Sequence, residues 1–585
     1  MGVPKIIPLV SYEYNPSLWE TIPFKDLQLV IDGNCLMHYL YTKLGIDVIG
    51  NYNEYSLKVE NFFQWLKECN ITPFVVFDGA YEPDDRKFET VMMRAIDRIN
   101  DPKKNSPILT QMTFLNSLNR LGIKVATCDY EADREIHVLA NQLNCPVLSF
   151  DSDFFVLEIK RVYITMNQFL GHLNLLTSGG NANHAIHVHV YYVEKLRGKL
   201  PYLNGNMALL ATVLGNDYLS SSSSILSSLY ASEDFHMPKH IKEPIFEKEC
   251  PHLCIIIRRA LNWIRKCKTV EAGKRRLLRF GNEKQIQLSL DAFSERIDHS
   301  RFTVDVYFKD GSVQSKYPRF IPVTLTKGNR ECHFSNFIMN TLINKRNILL
   351  HQFEGNNNVS SHACSKSLRL VIYCLLLDMD NTVKEYDRTG HKLSKSEFQL
   401  WNISREVSRS TEIKLHLNEL FSTEMSTQDS LHVISRSLCC PLPDKEICRL
   451  LNIRPLYVMI LSFWVKMATP AIDINCIKSV FLCCMYLAVP KGMVYRTIPN
   501  QQIQDIINNV NAKATEYASR FLLNYSSPIL YVFAQLQSCF YFATNLNQRL
   551  DCPLENEDPA NVFNGTFLHN VYFAMKENEN FLLEH

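Results

Sequence analysis

Cys145-Pro146-Val147-Leu148-Ser149-Phe150-Asp151-Ser152-Asp153-Phe154 reads as a short apolar strand running straight into two aspartates. Val147–Phe150 is too short for a helix, and its run of apolar residues suits a strand covered on both faces. The same phrase recurs upstream. Leu27–Ile31 (LQLVI) runs into Asp32, Pro73–Phe77 (PFVVF) runs into Asp78, and Ile123–Thr127 leads to Glu131 and Asp133 at the start of a helix predicted over Glu131–Leu143. Helical stretches lie between the strands, one reaching about Cys69 and another covering Leu109–Leu121. Strands alternating with helices argue for a parallel twisted sheet with helices on both faces.

In such a sheet ligands bind beyond the carboxyl ends of the strands, which is where these acids fall. The two-residue spacing of Asp151 and Asp153 puts both side chains on one side. Asp217 follows a helix, Met207–Leu214, that ends at Gly215. Two unit charges about 5 Å apart repel by roughly 3 kcal/mol at an effective dielectric near 20. A rim holding Asp32, Asp78, Glu131, Asp133, Asp151, Asp153 and Asp217 therefore calls for cations or raised pKa values. Ligands that are all oxygen point to Mg²⁺, with Mn²⁺ able to substitute, and not to zinc. Two such ions close together would activate a water and stabilise both oxygens of an in-line phosphodiester displacement. Taken singly, each acid reads equally well as a strand-end or helix-start cap. Their ordered recurrence at equivalent positions favours the metal site.

Outside this region the signals are coarser. The chain has 585 residues, 46% hydrophobic and 21% charged, with a formal net charge of +2, so two or three folded domains are expected and nucleic acid must be met by a local patch. Residues 161–330 are mixed, with strands predicted at Arg161–Thr165 and Ile186–Tyr192. Gly355–Ser361 reads as a linker or long loop, and 366–585 as an α-helical region. The chain is thus expected to divide into an acid-bearing α/β domain at 1–230, a basic mixed extension at 231–353 and a helical domain at 366–585. The apolar runs Leu456–Trp464 and Val480–Val489 are about half the length that spans a bilayer, so they read as buried helices, and no membrane association is expected. Met1–Lys5 lacks the pattern of a secretory leader, and the 18 cysteines are expected to be reduced thiols.

Two basic groups stand out. Lys87, Arg94 and Arg98 are spaced to share one helix face, with Arg86 beside them; the alternative is a solvated face paired to Asp85 and Asp97. The second group is Arg258, Arg259, Arg265, Lys266, Lys268, Lys274, Arg275, Arg276 and Arg279, interrupted only by Glu271. It would neutralise several phosphates, or would equally be the polar face of an amphipathic helix. Cys250-Pro251-His252-Leu253-Cys254 and the pair His187 and His189 lack the further ligands a zinc site needs.

The series VIDGN, VFDGA, EADREI, SFDSDF and GNDY resembles the flap-endonuclease/XPG nucleases with their PIN-like domain, and within them the asteroid homologues. The YEADRE and CPVLSFDSDF phrasing is close to that subfamily, and Phe320–Leu350 and Ser367–Leu377 are also asteroid-like. The resemblance implies a two-metal endonuclease cutting DNA at single-stranded ends or junctions, 3′ overhangs in double-strand-break repair among them. It assigns the seven acids to metal, Asp133 standing where the family usually has Glu, and assigns Lys87 and Arg94 to steering the scissile phosphate. The DNA chemistry in turn points to a nuclear setting, with a cytoplasmic one as the alternative, and the helical region 366–585 is expected either to meet a partner such as a repair protein or to lengthen the DNA path. The rival readings are a nuclease-fold scaffold in growth-factor receptor signalling and an RNA-cutting PIN nuclease. The chain departs from the family at Lys5, where a second glycine is usual, and at Ser220–Ser224, where a Gly-rich duplex clamp is usual.

Overall fold

Leu29, Val30, Ile31, Val75 and Phe77 are fully buried, so the apolar runs read from the sequence form strands covered on both faces. The computed structural model describes residues 2–577 apart from 14, 84–86, 170, 178–185, 221, 237–253, 295–306, 309–314, 355–358, 404–424, 446–447, 449–452, 489–504, 506–507, 511 and 513–527. The chain forms two compact units, one of residues 1–39, 61–91 and 122–316, the other of 40–60, 92–121 and 317–585.

The first unit is built on seven strands: β1 (Trp19–Pro23), β2 (Leu27–Asp32), β3 (Ile71–Phe77), β4 (Lys124–Thr127), β5 (Val147–Ser149), β6 (Tyr163–Thr165) and β7 (His187–Tyr191). They lie in the order β1-β7-β6-β5-β2-β3-β4. The run β6-β5-β2-β3-β4 is parallel throughout, while β7 and β1 close one edge antiparallel. Ile31 pairs with both Leu148 and Val75, and Phe77 pairs with Thr127. The carboxyl ends of four neighbouring strands therefore come to one level.

Val30, Val76, Ala126 and Val147 from the sheet share a core with Ile136, Val138, Leu139 and Ala140 of the helix Asp133–Leu143. Each large aliphatic side chain taken from water there contributes about 1.5–3 kcal/mol. The strands expected at Arg161–Thr165 and Ile186–Tyr192 are present as the shorter β6 and β7. β1 was not expected, because Glu20 and the terminal Pro23 break the apolar run; both are tolerated at a sheet edge.

The second unit is mainly helical, with Pro455–Met467, Ile474–Ala488, Pro528–Arg549 and Gly565–Glu577 among its longer helices. Among the described residues no helix is long and apolar enough to cross a membrane. One correction applies to the reading of 366–585 as helical throughout. β9 (Thr382–Thr389) and β10 (Lys392–Gln399) form an antiparallel hairpin, joined by β8 (Arg346–Ile348). The hairpin was hidden because its inward positions include charges as well as Val383. Glu385 is buried against the guanidinium of Arg369 at 2.8 Å, and Arg388 is buried against Glu354. Gly355–Asn358 lie outside the described residues, but the next part of the expected loop is packed: Val359 bridges to Thr389, and buried Ser361 donates its hydroxyl to Glu354 at 2.9 Å.

Candidate metal centre

Parallel pairing places the acids, and local hydrogen bonds aim them. Asp32 ends β2, where the Ser149 hydroxyl from neighbouring β5 donates to its Oδ2 at 2.7 Å and the Cys35 N–H donates to its Oδ1 at 3.0 Å. Asp78 follows β3 and accepts from Asn34 Nδ2 at 2.8 Å and from the Ala132 N–H at 2.9 Å. The turn after β3 can press this close to the exit of β4 because residue 79 is glycine. A Cβ at Gly79 would lie 2.0 Å from the Cys128 carbonyl oxygen.

Asp133 opens the helix Asp133–Leu143, so its charge faces the positive end of the helix dipole. Asp151 caps the short turn Ser152–Phe155, accepting the Asp153 N–H at 3.1 Å. Carboxylate oxygens of Asp133, Asp151 and Asp153 all lie within 4.8 Å of one another. Asp217 sits in a loop shaped by Asn216, whose Oδ1 accepts the N–H groups of Tyr218 and Leu219 at 2.9 and 3.0 Å. Lys87 then joins two of the acids. Its ammonium pairs with Glu131, lies 3.8 Å from Asp217 Oδ2, and stands 4.8 Å from the Tyr218 ring centre.

The electrostatics are those of acids that outnumber the one lysine, Lys87, that meets them here. Burial, then the charges of Glu131 and Asp32, push Asp78 up to about 7. Burial, reinforced by Asp151, holds Asp133 and Asp153 well above the usual carboxylate range. Burial also raises Asp151, against the hydrogen bond it accepts from Asp153. Burial opposes charge on Lys87, but Glu131, Tyr218, Asp133 and Asp217 outweigh it and keep the ammonium protonated. Asp153 Oδ1 is buried and has no hydrogen-bond partner among the described residues. An anionic oxygen left so is costly unless a cation meets it, and the donor set, all carboxylate, fits a hard divalent ion.

Residues not anticipated from the sequence complete the site. Ser149 steers Asp32 across 117 residues of chain and Asn34 steers Asp78 across 44, so no local signal in the sequence marked either contact. Gly2 is buried at φ +70°, and a Cβ there would lie 2.1 Å from Asp151 Oδ1 and 2.3 Å from Asp153 Oδ1. The turn that carries it is anchored by Val3, Ile6, Leu9 and Val10 in the core.

The basic residues fare differently. Arg86 lies outside the described residues. Arg94 is half-buried and Arg98 exposed, and both are grouped with the second unit. Arg258, Arg259, Arg265 and Lys266 lie on the helix Cys254–Cys267, and Lys274, Arg275 and Arg276 on Val270–Leu277. Lys268 joins the two helices and Arg279 follows them. Arg265, Lys266, Lys268, Arg275 and Arg279 are exposed. Lys274 pairs with Glu283 at 3.1 Å and Arg279 with Asp234 at 3.9 Å, so part of the predicted charge is answered within the fold. Residues 250–253 of the Cys/His motif lie outside the described residues. His189 instead accepts or donates with Thr21 Oγ1 at 2.9 Å and stacks on Tyr12.

Residues 455–584 match the family described as the Asteroid N-terminal domain. Over 620 aligned residues the chain is 24% identical to the human protein named Single-strand DNA endonuclease ASTE1, covering 98% of this chain and 85% of that one. The chain is thus similar to asteroid proteins. A shorter alignment to Protein asteroid of Drosophila melanogaster reaches 39% identity over 145 residues, 23% of this chain and 17% of that asteroid protein. Among solved structures, the catalytic core of Rad2 in complex with DNA substrate aligns at 18% identity and a TM-score of 0.31, covering 48% of this chain and 85% of that one. As in the asteroid resemblance drawn from VIDGN to GNDY, the acid series falls within the α/β unit, while the family match lies in the helical region.

Proposed function

We propose that this asteroid homologue is a divalent-metal-dependent endonuclease that hydrolyses phosphodiester bonds in single-stranded DNA regions or overhangs. The observation that carries the reading is the convergence of Asp133, Asp151 and Asp153, with Asp153 Oδ1 buried and unpartnered among the described residues. The printed name of the human relative supports single-stranded DNA as the substrate class.

Asp133, Asp151 and Asp153 would hold one ion, with Asp32, Asp78, Glu131 and Asp217 extending the site to a second. Mg²⁺ is the ion of choice for such oxygen ligands, and Mn²⁺ a substitute. What such ions supply when bound is neutralisation of charge on the attacking and leaving oxygens. The residues of the chain do the rest. Ser149 and Asn34 hold Asp32 and Asp78 in place, and the Cys35 and Ala132 N–H groups keep those carboxylates from turning away. Lys87 keeps a protonated ammonium at the edge of the acids. There it orients a phosphate oxygen and offsets the charge that builds as the phosphorus becomes five-coordinate. The exposed cations Arg265, Lys266, Lys268, Arg275 and Arg279 offer a track for the phosphate backbone. A nuclear role in trimming DNA ends during double-strand-break repair follows as part of the proposal.

The test is cleavage of end-labelled 5′-flap, 3′-overhang, single-stranded and duplex DNA in Mg²⁺, with the double variant Asp151→Asn, Asp153→Asn alongside. Cutting that needs the ion and is lost in the variant supports the reading. A folded protein that binds Mn²⁺ and cuts none of these substrates overturns it.

A further inference from the structure

Two buried carboxylates flank the acids of the metal centre without belonging to them. Asp129 is 1% exposed and Glu135 is 0% exposed, and between them in the chain lie Glu131 and Asp133. Charges buried this deeply are tolerable only with a partner. Tyr307 and Cys128 hydrogen-bond to Glu135, and a cation that reaches both carboxylates comes from nearly two hundred residues downstream, at the end of the first unit. The Lys316 N–H donates to Asp129 Oδ2 at 2.7 Å, the Ser315 hydroxyl donates to the same oxygen at 3.2 Å, and Lys316 Nζ lies 2.9 Å from Glu135 Oε1. The two residues thus grip both ends of the segment that carries Glu131 and Asp133.

The grip reaches further through the backbone. The Ala80 N–H donates to the Asp129 carbonyl at 3.0 Å and the Gly79 N–H to the Tyr130 carbonyl at 2.7 Å. The Ala132 N–H donates to Asp78 itself at 2.9 Å. Moving Asp129 would therefore move the turn that bears Asp78 as well as Glu131 and Asp133. Tyr307 is buried, and Phe308 meets the Phe74 ring edge-on with centroids 5.4 Å apart, so the same tail is seated on the sheet at a second place.

We propose that Lys316, with Ser315, is a positioning residue for the metal centre: its clamp on Asp129 and Glu135 sets the geometry in which Glu131, Asp133 and Asp78 meet a divalent ion. This rests on the reading of the acid cluster as a metal site. Lys316 touches neither metal nor substrate, so its removal is expected to act through ligand placement, where loss of such supporting contacts typically weakens metal binding by about 10–100-fold.

The experiment is Mn²⁺ binding to the full chain, followed by the electron paramagnetic resonance of the free ion. It compares wild type, Lys316→Met and Lys316→Arg, with thermal unfolding recorded on each. Weakening of about tenfold or more in K316M, with substantial recovery in K316R, supports the clamp. A folded K316M that binds Mn²⁺ as wild type does overturns it, whatever its melting temperature, because a merely structural lysine would lower stability alone. Should K316M fail to fold, the doubly neutral variant Lys316→Met, Glu135→Gln avoids the orphaned buried carboxylate and is judged by the same criterion. Wild-type Mn²⁺ binding without DNA cleavage would remove the nuclease reading and leave this inference to stand or fall on the variants. Absence of wild-type Mn²⁺ binding removes both.

Discussion

The Asp153 N–H donates to Asp151 Oδ1 at 3.1 Å, which holds a buried and a half-buried carboxylate side by side, with oxygens of both within 4.8 Å of one of Asp133. The arrangement sacrifices stability for a place to put a cation. Charges within 5 Å repel by roughly 3 kcal/mol at an effective dielectric near 20. Asp151→Asn, Asp153→Asn should therefore raise the metal-free unfolding midpoint by several degrees while abolishing cleavage. Calorimetry in chelator checks the first part; a fall in the midpoint would show that the carboxylates are stabilised by contacts of their own.

Lys87 is held between Glu131 and Asp217 and supplies the cation that faces the acid cluster from the turn before the helix Phe88–Asn100. Lys87→Ala is expected to lower kcat by about 10²–10³-fold with a smaller change in KM, the signature of charge stabilised in the transition state. Steady-state kinetics on a single-stranded substrate decide it, and a pure KM effect would reassign Lys87 to substrate binding.

Gly79 admits the close crossing of the β3 and β4 exits. Gly79→Ala drives a Cβ to 2.0 Å from a backbone oxygen that cannot rotate aside. A destabilisation on the order of 3 kcal/mol is expected in urea unfolding. Gly198→Ala is the control: nothing lies within 4 Å of its Cβ position in the helix Val193–Lys199, and a gain of up to about 1 kcal/mol is expected there.

Burial pushes His569 down to about 4, and burial, with the charges of Arg388 and His362, pushes His351 down to about 3. Unfolding returns both to near 6.5, so between those values the unfolded chain binds more protons than the folded one. Stability is then full above pH 6.5 and is lost as pH falls toward 4, by about 3 kcal/mol from His569 alone. Unfolding midpoints measured from pH 7 to pH 4 test the sign, and His569→Phe should flatten the slope.

Much of the acid cluster was written in the chain itself. A parallel strand buried on both faces needs a continuous apolar run, and its end is marked by the first residue that cannot be buried. Asp32, Asp78 and Asp151 were therefore legible as strand ends, and the spacing of Asp153 and Asp133 followed from local geometry. The hairpin β9–β10 was not legible, because Glu385 and Arg388 turn inward as ion-paired charges and break the alternation on which strand reading depends. Nor was the sharing of the chain between two units: residues 40–60 and 92–121 leave the first unit in the middle of helices, where composition does not change. Only the tertiary structure could bring Ser149 to Asp32, Gly2 to Asp151 and Lys316 to Glu135. Those contacts depend on which strands become neighbours and where a distant tail returns, and no local periodicity encodes either.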